Sequence, residues 1–250
     1  MREFYDTLAP YYAKFNGEVD YSRMADFVMN TFSKYYDGAV TDVLDLGCGS
    51  GNMTFPLLER GYGMIGVDIS EEMLAEARAQ QRGGDVLWLC QDMRSFELYG
   101  TVEGAVCTLD GINHLLRSAD VRTCFSLVHN YLVPDGIFIF DVNTPYKFKE
   151  IYGENTYVFE EDGSFCVWQN AFVPRSGRCR FTIDLFKEGA DGRYDRVMVD
   201  REEQMYSEKK LRQMLEDTGF TVLSVLDDYT NDAPCDTTER WTFVARANKD

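Results

Sequence analysis

An open, doubly wound α/β sheet of seven mostly parallel strands, with an antiparallel β insertion after the fifth, is the fold that the sequence predicts. Three observations predict it. Short apolar runs ending on glycine or an acid alternate with helix-length segments through the first 141 residues, which is the pattern of a parallel sheet covered on both faces. The run Val43-Leu44-Asp45-Leu46 leads into Gly47-Cys48-Gly49-Ser50-Gly51, and a second strand ends on Asp68, as in a nucleoside-binding α/β sheet. From 157 to 206 the alternation gives way to strands separated by Asp162-Gly163, Ser176-Gly177 and Asp191-Gly192, and such turns make hairpins.

The elements follow in order. Residues 1–36 carry Tyr5, Leu8, Tyr11, Tyr12 and Phe15, then Met24, Phe27, Val28 and Phe32, at helical spacing, which predicts two helices forming an N-terminal cap. Strand one spans about 42–46, with a helix around 52–60; strand two spans 64–68, with a helix from Ser70, an N-cap before the apolar pair Met73 and Leu74. Strand three (86–90), strand four (104–109), a helix over 119–132 and strand five (137–141) continue the alternation, with a turn expected at Pro134-Asp135-Gly136. The insertion is expected as Tyr157–Glu160, Phe165–Val173, Arg178–Lys187 and Tyr194–Tyr206. It should lie on the carboxyl side of the sheet, where ligands bind. Ser207 then caps a helix that stops at Thr218-Gly219, before strands six (221–226) and seven (240–246). The whole chain, 1–250, reads as one domain.

Glycine at every second position of the loop lets the backbone approach a ligand that a Cβ would hold away. A dinucleotide fingerprint would place a third glycine where Asn52 stands, so the loop fits a ribose and an amino-acid tail better than a pyrophosphate. From Asp45 through Asp68, the Cys90-Gln91-Asp92-Met93 run, the end of strand four near Leu109 and Ile137–Asp141, the chain resembles the class I S-adenosylmethionine-dependent methyltransferases, a Rossmann-like family. The resemblance implies S-adenosylmethionine as cofactor. It implies that Asp45 and Gly47 hold the methionine ammonium, that Asp68 accepts from both ribose hydroxyls, and that Asp92 and Met93 flank adenine. Cys48, Gly49, Gly51, Ile69 and Leu109, in the same strand-end loops, complete the expected cofactor set.

Forty-two acids against 25 Lys plus Arg give a net charge of −17, and no basic run offsets it. A phosphate backbone or an anionic membrane surface would be repelled, which tells against nucleic acid and membrane as partners. The seven cysteines form no CxxC pair and only two histidines accompany them, so no metal is expected and the thiols read as small buried groups in a reducing cytoplasm. No apolar run approaches membrane length, and the N-terminus lacks the core of a signal peptide. Oligomeric state is not legible.

Methyl transfer from a sulfonium is an in-line displacement, in which alignment and exclusion of water do most of the work. An amine acceptor must arrive deprotonated, and a hydroxyl acceptor wants a base. His114, in Leu109-Asp110-Gly111-Ile112-Asn113-His114 directly after strand four, is the candidate. Three readings of it stay open: a base, a group that orients the acceptor, and a helix-start histidine bonded to backbone. His129 reads as structural. Within the methyltransferases the chain looks most like the small-molecule N-methyltransferases of the glycine and amino-sugar type, on Tyr5, Ala9 and Tyr12 together with Asp110, Asn113 and His114. That likeness implies that the insertion is a lid, that Tyr12 covers the sulfonium, and that Asp110 and His114 contact acceptor or cofactor. Where the glycine enzymes carry a carboxylate-clamping arginine just past strand five, this chain has Asn143, so a simple amino acid is not the expected substrate. Tyr146 and Trp168 are the aromatic residues expected at the acceptor. Methylation of a protein side chain, and a non-catalytic module that senses the cofactor, are the competing readings.

Overall fold

The computed structural model describes residues 19–161, 164–189 and 191–249; the expected first helix, with Tyr5, Ala9 and Tyr12, lies outside them. Helix α1 (Tyr21–Tyr35) starts where the Asp20 side chain accepts the Arg23 N–H, and it buries Met24, Phe27, Val28 and Phe32 on one side. That stripe packs with Val43, Val106, Ile137 and Ile139, covering one face of the central sheet.

The strands of that sheet are β1 (Asp42–Leu46), β2 (Gly63–Asp68), β3 (Val86–Cys90), β4 (Val102–Cys107), β5 (Leu132–Asn143), β10 (Phe220–Asp227) and β11 (Arg240–Ala247). Their order is β10-β11-β5-β4-β1-β2-β3. All neighbours run parallel except β11, which is antiparallel to both β5 and β10. The doubly wound expectation therefore holds, with an antiparallel edge.

Helices α2 (Thr54–Glu59), α3 (Glu71–Gln80), α4 (Ser118–Tyr131) and α5 (Glu208–Asp217) make the connections. Ser70 and Ser207 cap α3 and α5 as expected, accepting from the N–H groups of Met73 and Lys210. His129 is structural: its ring lies 5.3 Å from Phe220, edge to face, and Nε2 sits 3.0 Å from the Asn248 carbonyl.

Two strands depart most from expectation. Strand β5 runs from Leu132 through Pro134-Asp135-Gly136 as a bulge, with Asp135 at φ +61° and the pairing register shifting between Val102 and Gly104. Strand β4 stops at Cys107, because Leu109 and Asp110 take left-handed φ of 54° and 59° and turn the chain into a 3₁₀ turn over Gly111–His114.

After β5 a π-helical turn (Lys147–Tyr152) leads into a separate four-stranded antiparallel sheet: β6 (Thr156–Glu161), β7 (Ser164–Val173), β8 (Arg178–Glu188) and β9 (Tyr194–Gln204), paired in that order. Its buried side carries Cys166, Phe172, Cys179, Phe181, Ile183, Leu185 and Val199. Arg201, opposite Phe181, and Glu203, opposite Cys179, share that side, so the sheet turns two charged side chains toward the domain.

Candidate active site

The glycine loop curls over the end of β2, with the N–H groups of Gly47 and Cys48 both donating to the Val67 carbonyl at 2.7 and 3.1 Å. Gly47, Gly49 and Gly51 all hold positive φ. At Gly51 a Cβ would come within 2.8 Å of the Phe55 ring and at Gly49 within 3.1 Å of Met73. The loop lines a cavity shared with Tyr21, Asp68, Ile69, Met93, Leu109 and His114, while a second recess runs on through Asp92 and Met93 to Leu115. One continuous surface thus collects most of the expected cofactor residues.

The acids at the strand ends differ in state. Asp45 is buried, and one carboxylate oxygen accepts the Thr54 hydroxyl at 2.6 Å. Its other oxygen has no partner among the described residues. Burial pushes its pKa up to about 7, with the Thr54 bond opposing and Asp68 adding to the rise. Asp68 is fixed from two sides, accepting the Gly49 N–H at 2.9 Å and the Ser70 N–H at 2.8 Å. Asp92 is clamped by Arg94, whose Nε lies 2.9 Å from Oδ1 and whose Nη2 lies 2.5 Å from Oδ2. Those bonds hold its carboxyl below the usual range, against partial burial.

A donor with an ammonium, a ribose and an adenine fits these residues. A buried oxygen without a partner among the described residues asks for a charged donor, the positive φ of Gly47, Gly49 and Gly51 bends the loop along the cavity, and the recess at Asp92 and Met93 extends it.

Beside this cavity lies a buried polar cluster that sequence reasoning saw only in part. Asp141, at 0% exposure, accepts the N–H groups of Leu109 and Asp110, each at 2.7 Å, together with the Tyr229 hydroxyl and an Arg240 nitrogen. It thereby holds the left-handed turn after β4, which places Asp110 and His114. Asp110 lies 3.4 Å from Arg240 and 3.9 Å from His114 Nε2. Burial would raise its carboxyl, but Arg240, Arg201 and the weaker pulls of His114 and Lys147 together keep it low. Burial first, then Arg201, drops the His114 pKa to about 3, with Asp110 opposing.

Asn113 ties three elements together: its amide donates to the Gln204 carbonyl at 2.9 Å, its oxygen accepts the Asn143 N–H at 2.9 Å, and its side chain is fully buried. Glu203 accepts from Asn143 Nδ2 at 3.2 Å and pairs with Arg201 at 3.0 Å. The guanidinium of Arg201 lies 5.6 Å from the Trp168 ring and 5.0 Å from Phe181. Ligand atoms of Asp110, His114 and Glu203 all fall within 4.8 Å of one another.

Trp168 is therefore placed in this cluster. Tyr146 is partly exposed just before the π-helical turn, and Tyr152, edge to face with Phe181 at 4.9 Å, is the tyrosine that the turn places inside. Arg201, Glu203, Tyr152, Tyr229 and Arg240 were missed; the available signal was that 201 and 203 keep phase with Val199 on the buried side of β9.

Comparison with known proteins agrees with this geometry. A family profile described as a methyltransferase domain matches residues 43–136. A chain of Geobacillus sp. (strain WCH70), named as an inferred methyltransferase, is 30% identical over 97% of this chain and 99% of its own length. The crystal structure of an S-adenosylmethionine-dependent methyltransferase from Clostridium acetobutylicum superposes with a TM-score of 0.87 at 30% identity, covering 98% of this chain and 99% of that one. A dTDP-3-amino-3,6-dideoxy-α-D-glucopyranose N,N-dimethyltransferase of Streptomyces fradiae is 30% identical over 43% of this chain and 40% of its own. The chain belongs to the methyltransferase family, in its class I, Rossmann-like branch. It is an S-adenosylmethionine-dependent enzyme.

Proposed function

We propose that this enzyme methylates the nitrogen of a small amine. The observation that carries the reading is the convergence of Asp110, His114 and Glu203 within 4.8 Å, beside the cavity that holds the glycine loop. Three acceptor groups around one point suit an N–H-bearing cation, whereas an anionic acceptor would meet two carboxylates there. A divalent ion suits the point less well than a single positive charge, because Arg240 against Asp110 and Arg201 against Glu203 already offset much of the carboxylate charge and repel a double charge more strongly. The relation to an amino-sugar N-methyltransferase supports nitrogen as the target.

In this reading Asp45 and Gly47 hold the ammonium of the donor, Asp68 its ribose, and Asp92 with Met93 its adenine. Cys48, Gly49, Gly51, Ile69 and Leu109 shape the walls. The donor, when bound, supplies a methyl on a positively charged sulfur. His114, kept neutral by burial, orients the acceptor through a hydrogen bond. The sheet of β6–β9, with Trp168 and Arg201, roofs the acceptor, and Tyr12 covers the sulfonium from the N-terminal cap. A roof of this kind favours a free metabolite over a side chain on a folded protein.

The test is transfer of tritiated methyl from S-adenosylmethionine into a cell extract depleted of this enzyme. Label in acid-soluble, cation-exchange-retained material supports the reading. Label confined to precipitable protein overturns it in favour of side-chain methylation.

A further inference from the structure

We infer that Glu203, on strand β9 of the inserted sheet, is the catalytic base that takes the proton from the acceptor nitrogen. This rests on the amine reading of the same site and goes beyond it. His114 occupies the position expected of a base, yet Glu203 is the group built to hold a proton there.

The geometry comes first. Glu203 is completely buried and reaches within 4.8 Å of the His114 and Asp110 ligand atoms. Its carboxylate is held from two elements, by the hydrogen bond that Asn143 Nδ2 donates at 3.2 Å from the end of β5 and by the charge of Arg201, 3.0 Å away on its own strand. Asn113 fastens β9 to the 3₁₀ turn through the Gln204 carbonyl, so the position of Glu203 relative to His114 is fixed by a buried hydrogen bond. A carboxyl carried into an apolar sheet face without a role would be costly.

The charged and titratable groups that face it are Asp110 and His114 from the turn after β4, Lys147 and Tyr152 from the π-helical turn, Cys179 from β8 and Arg201 from β9. Burial pushes its pKa up to about 8, with Asp110 adding and Arg201, Asn143 and Lys147 opposing. An imidazole held near 3 cannot keep a proton taken from an ammonium, whereas a carboxyl near 8 is matched to one.

The step balances. The N–H bond of the bound ammonium breaks and leaves its electron pair on nitrogen, and the proton goes to a Glu203 oxygen. The freed pair forms the N–C bond while the C–S bond breaks and its pair passes to sulfur, which becomes a neutral thioether. Glu203 then returns its proton to water when product leaves.

Infrared spectroscopy of the S-adenosylhomocysteine complex, titrated between about pH 6 and 9, reads the carboxyl without an acceptor. The expected result is a protonated-carboxyl C=O band that fades with a midpoint near 8, is absent in Glu203→Gln and shifts in Glu203→Asp. A wild type with no such band, or a band that survives in Glu203→Gln, overturns the assignment. If Glu203→Gln does not fold, shown by loss of the cooperative melt, the Glu203→Asp shift carries the same decision. With any amine that the enzyme accepts, Glu203→Gln should lower kcat by about 10²-fold or more and abolish the rise of kcat/KM toward pH 8, with unchanged affinity for S-adenosylhomocysteine. His114→Asn should keep that rise; its loss in His114→Asn would return the role to the histidine. An enzyme that labels no amine at all sinks the amine reading, while the infrared titration still decides the state of Glu203.

Discussion

Thr54 donates its hydroxyl to Asp45 at 2.6 Å, and that bond satisfies only one of the two carboxylate oxygens. In the binding mode proposed above, the second oxygen takes the ammonium of the donor. Because burial raises the carboxyl to about 7, the free protein is more stable with Asp45 protonated, and this contribution fades as the pH rises through about 7. A bound ammonium favours the ionised form, so binding releases a proton.

S-adenosylhomocysteine should therefore bind with proton release near pH 6.5, measured as a calorimetric heat that varies with buffer ionisation enthalpy, and its affinity should fall below about pH 7. Asp45→Asn should lose roughly tenfold or more in affinity and the pH dependence with it. Buffer-independent heats in the wild type would remove Asp45 from the ammonium site.

Asp68 is expected to act on both ligand and loop. Asp68→Ala should largely abolish the rise in melting temperature given by S-adenosylhomocysteine, which at about 100 times its Kd corresponds to roughly 2.7 kcal/mol. Because the carboxylate also accepts the Gly49 and Ser70 N–H groups, the unliganded variant should melt lower than wild type. Equal ligand affinity in the two proteins would defeat the ribose assignment.

Asp141 and Arg240 predict a stability effect at the anchor of the turn after β4. Asp141→Ala takes the acceptor from two backbone N–H groups, from the Tyr229 hydroxyl and from one nitrogen of Arg240, which keeps Asp110 as a partner, and should cost about 3–5 kcal/mol in denaturant unfolding. Tyr229→Phe removes one of four donors and should cost about 1–2 kcal/mol. Since Leu109 lines the cofactor cavity, both should also weaken S-adenosylhomocysteine binding. Unchanged binding in a destabilised Asp141→Ala protein would show that the left-handed turn persists without its anchor.

Much of the cofactor side was legible because its signals are local. Gly47, Gly49 and Gly51 stand within five residues, and Asp45 and Asp68 end adjacent parallel strands. The amino-sugar likeness was read from two short stretches, Tyr5, Ala9 and Tyr12, which lie outside the described residues, and the Asp110–His114 turn after strand four. The acceptor side was not legible. Arg240 reaches Asp110 across 130 positions and Tyr229 reaches Asp141 across 88, through a β11 pairing that no local pattern announces. Glu203 was hidden differently: it sits in Arg201-Glu202-Glu203, a run that reads as a solvated strand until the register with Phe181 and Cys179 turns every second residue inward. The early stop of β4 was missed because Leu109 adopts a left-handed conformation that a branched side chain seldom takes without an anchor such as Asp141.

The most direct measurement of the central claim is the position of the new methyl group in the product formed from tritiated and then ¹³C-labelled S-adenosylmethionine. The account predicts a small molecule whose ¹³C methyl couples through nitrogen, as an N-methyl or N,N-dimethyl amine. A methyl ester, a methyl ether or a methylated protein side chain would contradict it.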